Sequence, residues 1–226
     1  MTWQQRFGGC RWRVTEEGIE VEGRGLMRTK GEPVTARRLR ASWGSLIRSI
    51  SATTNVPPAI LMMTILTEGA LKWVPDDPEF PDVGKFRYPL YREEPGYKDD
   101  RLTPHLVSVG PMHILLSNYR AILHAPSATR EEAAELPNNL LAGAIFIAER
   151  SALHRFDPIL VAAVYNAGGL YDASDPESKY HNPFHLRSWP GHLERAARWY
   201  GDARAVLAES PLPPFPPPIV PRADVA

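Results

Sequence analysis

Apolar residues recur at helical spacing along most of this 226-residue chain. Residues 35–54 carry their apolar side chains on one face, which predicts an amphipathic helix that begins at Thr35 and ends before Asn55. Residues 56–73 are apolar on all sides and start with two prolines, which predicts a buried helix. Further helices are predicted over 108–124, 127–136, 138–154, 158–167 and 189–209.

Three other segments lack the helical period. Residues 11–30 alternate polar and apolar around glycines, which predicts a short β-hairpin that packs on the helices, because an isolated hairpin is only marginally stable. Residues 74–107 combine prolines with aromatic residues, which predicts a long ordered loop that forms one wall of a groove. We therefore expect a mainly α protein in three parts: a hairpin appendage (1–34), a helical domain (35–209) and a proline-rich tail (210–226).

Composition narrows the class of protein. The formal net charge is zero, which argues against a general nucleic-acid binder. We also expect a monomer. The single cysteine, Cys10, excludes an intrachain disulfide. No run approaches 18 apolar residues, so we expect no membrane span, and the N-terminus lacks the apolar stretch of a secretory signal. His181 and His185 are spaced like metal ligands, but Pro183 separates them and no third ligand is evident, so we expect neither metal nor cofactor.

Glu68 is a lone acid at the end of the apolar run that begins at residue 56. A carboxyl group in apolar surroundings has a raised pKa, which is what a general acid needs at neutral pH. The alternative is a glutamate at a helix end that points into water, as most such residues do.

Three later segments accompany this acid: SVGPMHILL (108–116), NNLLAGAIFIAE (138–149) and LVAAVYNAGGLY (160–171). In this order and spacing, the four blocks resemble the lysozyme-like superfamily, in particular soluble lytic transglycosylases and goose-type lysozymes. The match covers about residues 56–170. The positions that fall on the family's motifs are Glu68, then Gly110, Met112 and His113, then Asn139 and Gly143, then Tyr165, Asn166, Ala167 and Gly168.

Three positions depart from the family's pattern. Gly69 replaces the serine that follows the acid, Pro111 replaces a leucine, and His113 replaces a glutamine that lines the sugar groove in that family. His113 would therefore change the contacts to substrate. The alternative for His113 is a helix histidine whose hydrogen bonds are satisfied within the fold.

The resemblance implies a lysozyme-like helical domain that binds peptidoglycan glycan strands. It implies cleavage of the β-1,4 bond between N-acetylmuramic acid and N-acetylglucosamine, with Glu68 as the catalytic acid. We favour a lytic transglycosylase, which forms 1,6-anhydro-muramic ends and needs no second acid. The residues that would bind substrate are Ser108, Val109, Gly110, Met112, His113, Tyr165 and Asn166.

Two alternatives remain open. The first is a hydrolytic muramidase or chitinase-like glycosidase of the same fold, which needs a second carboxylate. The acidic residues of the 74–107 loop are the candidates for it, chiefly Asp82, Asp99 and Asp100, with Glu93 and Glu94. The second is a non-catalytic glycan-binding module of a phage or secretion particle. A wall-degrading enzyme without a signal would reach the cell wall after lysis or through a secretion machine.

Overall fold

The computed structural model describes residues 2–7, 10–75, 85–167 and 191–212. Asp82, Gly168, the pair His181 and His185, and the proline-rich tail from residue 213 lie outside the described residues. Within the described part, the chain is mainly α with small antiparallel sheets. The helices are α1 (Val34–Thr54), α2 (Pro58–Glu68), α3 (Leu116–Ile122), α4 (Arg130–Ala134), α5 (Leu136–Ser151), α6 (Pro158–Ala167) and α7 (His192–Glu209).

The N-terminal sheet is larger than the predicted hairpin over 11–30. It has four antiparallel strands in the order of the chain: β1 (Gln4–Phe7), β2 (Cys10–Val14), β3 (Ile19–Val21) and β4 (Gly25–Leu26). The predicted hairpin corresponds to the pairing of β2 with β3, in which Val14 lies opposite Ile19. The prediction missed β1, which pairs with β2 from a segment too short to show a strand period.

The predicted long loop contains strands. β5 (Lys72–Val74) pairs with β6 (Lys85–Arg87), and β7 (Tyr91–Glu93) pairs with β8 (Val107–Val109), which pairs with β9 (Ile114–Leu115). The prediction of a helix over 108–124 is wrong in its first half, because the helix begins only at Leu116. β-branched residues on both sides of a turn favour strands here, and Gly110 makes that turn with a left-handed φ of 64°.

Helix α2 lies at the centre of the molecule, packed against α1 and α7. Every residue from Ala59 to Thr67 is buried, as its uniformly apolar sequence predicts. The helix begins at two prolines and ends at Gly69, whose N–H donates to the carbonyl of Ile65. This arrangement holds Glu68, the last helical residue, at the border between the core and solvent.

The N-terminal sheet packs on the helices and shares their core. Three of its apolar side chains, Trp12, Ile19 and Val21, belong to the main buried cluster, as does Met27 directly after β4. The indole N–H of Trp12 donates to both carboxylate oxygens of Asp157 at 3.1–3.2 Å. Asp157 also accepts from the first N–H groups of α6, so one carboxylate starts that helix and anchors the sheet.

Most described aromatic residues of the predicted groove wall pack against the protein. Phe86 is buried and meets the edges of Trp43 and Trp73, with ring centroids 5.6 and 5.1 Å apart. Tyr91 and Tyr97 both contact the guanidinium of Arg130. These aromatic side chains therefore hold the segment against the rest of the protein.

No single described helix is long and apolar enough to cross a membrane. Helices α1 and α2 meet that criterion only when taken together, and their axes are bent by 119°.

Candidate functional site

An open cleft of about 310 Å³ lies where the end of α2 meets β8, the turn that follows it, and α6. We call it the Glu68 cleft. Five of the eight residues predicted to act in catalysis or binding line it. The lining residues are Glu68, Arg92, Glu94, Ser108, His113, Ile114, Leu115, Asn118, Phe146, Tyr165 and Asn166.

Glu68 does not point freely into water. Its side chain is 12% exposed, so the alternative of a solvated carboxylate at the helix end is wrong. The next residue, Gly69, sits against the turn after β8: a Cβ there would lie 2.6 Å from the carbonyl oxygen of Pro111. Two of the departures from the family's pattern are therefore in contact, and the position after the acid has no room for a serine.

His192, the first residue of α7, lies beside the acid. Its Nε2 is 3.1 Å from Oε1 of Glu68, and its side chain is 14% exposed. No motif in the sequence predicted a role for this residue. It stands far along the chain from Glu68, outside every motif of the resemblance, and only the packing of α2 on α7 brings the two together.

Asn139 lies inside the protein and supports the turn that forms one wall of the cleft. This fully buried side chain accepts from the N–H of Met112 at 2.8 Å and donates to the carbonyls of Val109 and Ala133, both at 2.9 Å. A Cβ on Gly110 would lie 2.4 Å from the Asn139 amide, so only glycine fits there. Val109, Gly110 and Met112, predicted to bind substrate, lie behind the lining residues and shape the wall.

Tyr165 joins α6 to the same turn. Its hydroxyl donates to the carbonyl of Met112 at 2.8 Å, and its ring meets the edge of Phe146 at 5.4 Å. Burial, followed by the nearby charge of Glu68, raises the pKa of Tyr165 well above its usual value. The phenol therefore stays protonated at neutral pH and acts as a fixed donor.

His113 occupies the turn with a positive φ of 46°, so the alternative of a helix histidine is wrong. Its Nε2 is buried, and the described residues offer it no hydrogen-bond partner. Burial lowers the pKa of His113, and the charge of Glu68 opposes this effect only in part. The ring is therefore neutral at pH 7.

The acidic residues predicted as a second carboxylate differ in whether they line the Glu68 cleft. Asp99 accepts from the N–H groups of two following loop residues, and Asp100 binds Tyr97 and Arg130, so neither lines the cleft. Burial acts against ionisation of Asp100, but hydrogen bonds from Tyr97 and Arg130 hold its pKa below the usual range. Glu94 does line the cleft, with Oε1 3.3 Å from Nε of Arg92.

Within the described ranges, no three His, Cys, Asp or Glu side chains gather in a way that could hold a metal ion. Neither a protein-family model, nor a curated protein, nor a solved structure matches this chain. The residues of the cleft therefore carry the functional conclusion on their own.

Proposed function

We propose that this protein cleaves the glycan strands of peptidoglycan as a lytic transglycosylase, with Glu68 as its catalytic acid and base. The observation that carries the proposal is a carboxyl group, 12% exposed, at the edge of an open cleft lined with polar side chains. Residues from the motifs that resemble soluble lytic transglycosylases, Glu68, His113, Tyr165 and Asn166, all line this cleft.

In this mechanism Glu68 first donates its proton to the glycosidic oxygen as the bond from that oxygen to the anomeric carbon of muramic acid breaks. The resulting carboxylate then takes the proton of the muramic 6-hydroxyl. Oxygen 6 forms the new bond to the anomeric carbon, which closes the 1,6-anhydro ring and returns the proton to Glu68. The attacking hydroxyl is already part of the substrate, so its effective concentration is high and no second carboxylate is needed.

The other side chains of the cleft suit an amino-sugar polymer. Ser108, Asn118 and Asn166 offer hydroxyl and amide groups that bind acetamido and hydroxyl groups of the sugar. Phe146, only 5% exposed, forms an apolar part of the cleft wall and packs against the ring of Tyr165. Tyr165, whose hydroxyl binds the carbonyl of Met112, keeps the turn in place during the reaction.

Glu94 favours a second candidate, an inverting hydrolase. It lines the cleft with Glu68, and its contact with Arg92 suits an ionised carboxylate that activates water. An inverting pair of carboxyl groups stands roughly 6.5–9.5 Å apart to admit that water. This candidate replaces the predicted second acids Asp99 and Asp100 with Glu94.

The experiment is solubilisation of purified peptidoglycan by the wild type and by Glu68→Gln. We expect the variant to lose turnover by roughly 10²–10⁴-fold, because the amide cannot deliver a proton, while it still sediments with the wall. Glu131→Gln, on the exposed first turn of α4, is the matched control and should keep the native rate. Native turnover by Glu68→Gln would contradict the proposal.

Two further outcomes distinguish the alternatives. Loss of activity in Glu94→Gln comparable to that in Glu68→Gln would favour the hydrolase, because a transglycosylase has no step for a second carboxylate. A wild-type protein that binds the wall and releases nothing would favour the non-catalytic glycan-binding module.

A further inference from the structure

We propose that His192 is a positioning residue that holds the catalytic proton of Glu68 on Oε2, the carboxyl oxygen that His192 does not contact. This inference rests on the proposed function of Glu68. It assigns a role to a residue that lies outside the motifs of the resemblance and comes from α7.

The pair is largely buried at the edge of the Glu68 cleft. Nε2 of His192 lies 3.1 Å from Oε1 of Glu68, and the two side chains are 14% and 12% exposed. Nε2 itself is buried and makes no aligned hydrogen bond to any described residue. A modest rotation of the ring or the carboxyl group would align a hydrogen bond between Nε2 and Oε1. Catalytic groups commonly make such adjustments when substrate binds.

Arg195 defines the tautomer of the His192 ring. Its Nη2 lies 3.4 Å from Nδ1 of His192. A guanidinium group only donates hydrogen bonds, so Nδ1 must be the accepting nitrogen of the ring. In the neutral imidazole the hydrogen therefore sits on Nε2, which faces Glu68.

The hydrogen on Nε2 of His192 determines which carboxyl oxygen of Glu68 carries the catalytic proton. Once the two groups are aligned, Oε1 accepts the N–H of His192, so the proton of the carboxylic acid occupies Oε2 and is available to the glycosidic oxygen. After that proton has left, the same N–H stabilises the new carboxylate until it takes the proton of the 6-hydroxyl. His192 neither gains nor loses a proton in the cycle.

The other charged or titratable groups around the pair have different partners. Tyr165 on α6 donates to a backbone carbonyl, and Arg92 in β7 contacts Glu94, the residue after that strand. His113, in the turn after β8, lines the cleft with a ring kept neutral by burial. Among the described groups, His192 is thus the donor placed at Oε1.

The kinetic test compares His192→Gln, which keeps an N–H donor of similar reach, with His192→Leu, which keeps bulk and removes the donor. We expect kcat of the leucine variant to fall roughly ten- to hundredfold with KM unchanged, and the glutamine variant to recover most of that loss. Thermal unfolding of both variants controls for folding. Native kcat in the leucine variant, or equal losses in both folded variants, would overturn the role.

A second measurement needs no substrate. Nitrogen-15 NMR of the wild-type histidine rings, with the His192 signal assigned by its absence from His192→Gln, reports which ring nitrogen carries the proton. We expect the proton on Nε2, and a proton on Nδ1 would overturn the inference. If the wild type solubilises no wall, the proposed function fails instead, and the tautomer is still measured.

Discussion

Single residues set the shape and charge of the Glu68 cleft. The side chain of Asn139 supplies hydrogen-bond partners to backbone groups around the turn after β8. Its amide accepts from one backbone N–H and donates to two backbone carbonyls. His113 shows the opposite situation, a buried ring nitrogen for which the described residues provide no partner. Its lowered pKa makes the charge state of the cleft depend on pH.

The first prediction concerns stability as a function of pH. Burial lowers the pKa of His113 in the folded protein, whereas the unfolded chain takes up this proton near pH 6.5. Below that pH the unfolded state binds more protons, so the contribution of His113 to stability is present at pH 7 and is lost as the pH falls. Urea unfolding between pH 7.5 and 5 should show this loss.

His113→Asn is the comparison variant, because asparagine tolerates a positive φ and does not titrate. We expect its free energy of unfolding to fall less steeply over the same range of pH. Parallel curves for the two proteins would show that His113 does not titrate differently in the folded state.

Among the elements, α2 and the turn after β8 form the unit that presents the acid. The period of the apolar residues predicted α1, α5 and α6 closely, because long helices with two or more buried turns leave a clear pattern. It also predicted α2, but the helix predicted over 56–73 continued past Glu68, where α2 ends. The prediction from the apolar period was least accurate around β8 and β9. It failed at residues 107–115. There the strands are two or three residues long, and their partner is Tyr91–Glu93, a segment that sequence alone cannot pair with them.

Gly69→Ser tests the contact within this unit. A side chain at residue 69 would meet the carbonyl oxygen of Pro111 at 2.6 Å, so the turn or the end of α2 must move. We expect a loss of about 1–3 kcal/mol in the free energy of unfolding, together with slower turnover because Glu68 shifts. Ala41→Ser, on the exposed face of α1, should change stability by less than about 0.5 kcal/mol.

If Gly69→Ser unfolds at the same urea concentration as the wild type, the close packing of α2 against the turn is not required. That result would leave the family's serine as an allowed residue here.

For the molecule as a whole, the N-terminal sheet packs on α7, whose first residue, His192, lies against α2. The carboxylate of Glu194, 2% exposed, contacts Arg24 and Arg198, and Asp202 accepts from the backbone and hydroxyl of Thr29. The sequence predicted a strand pair and a C-terminal amphipathic helix here. It predicted that the strands pack on the helices but not that α7 is the helix they contact, because no local pattern records which distant surfaces meet.

Gly201→Ala tests this contact through the sign of its effect. Alanine normally stabilises a helix relative to glycine by roughly 0.5–1 kcal/mol. A Cβ on Gly201, however, would lie 2.1 Å from the carbonyl oxygen of Met27. We therefore expect a lower melting temperature for Gly201→Ala, while Ser42→Ala on the exposed face of α1 should leave it unchanged or raise it slightly. A higher melting temperature for Gly201→Ala would contradict the packing of the sheet on α7.

The candidate acid and its neighbours were predictable to different degrees. Glu68, Tyr165 and Asn166 follow from motifs in the sequence, and all three line one cleft. Glu94, one of five acids considered, could be distinguished from Asp99 and Asp100 only by its position in the folded chain. His192 carries no sequence signal, because its role depends on the packing of α7 against α2.

Mass spectrometry of the products released from purified peptidoglycan by the wild type, with Glu68→Gln in parallel, distinguishes the two reactions. If Glu68 drives a transglycosylase reaction, the wild type releases fragments that end in 1,6-anhydro-muramic acid and the variant releases none. Fragments with a free reducing end, heavier by one water, would contradict the transglycosylase and assign the reaction to a hydrolase that uses Glu94. Identical products from both proteins would contradict the role of Glu68 itself.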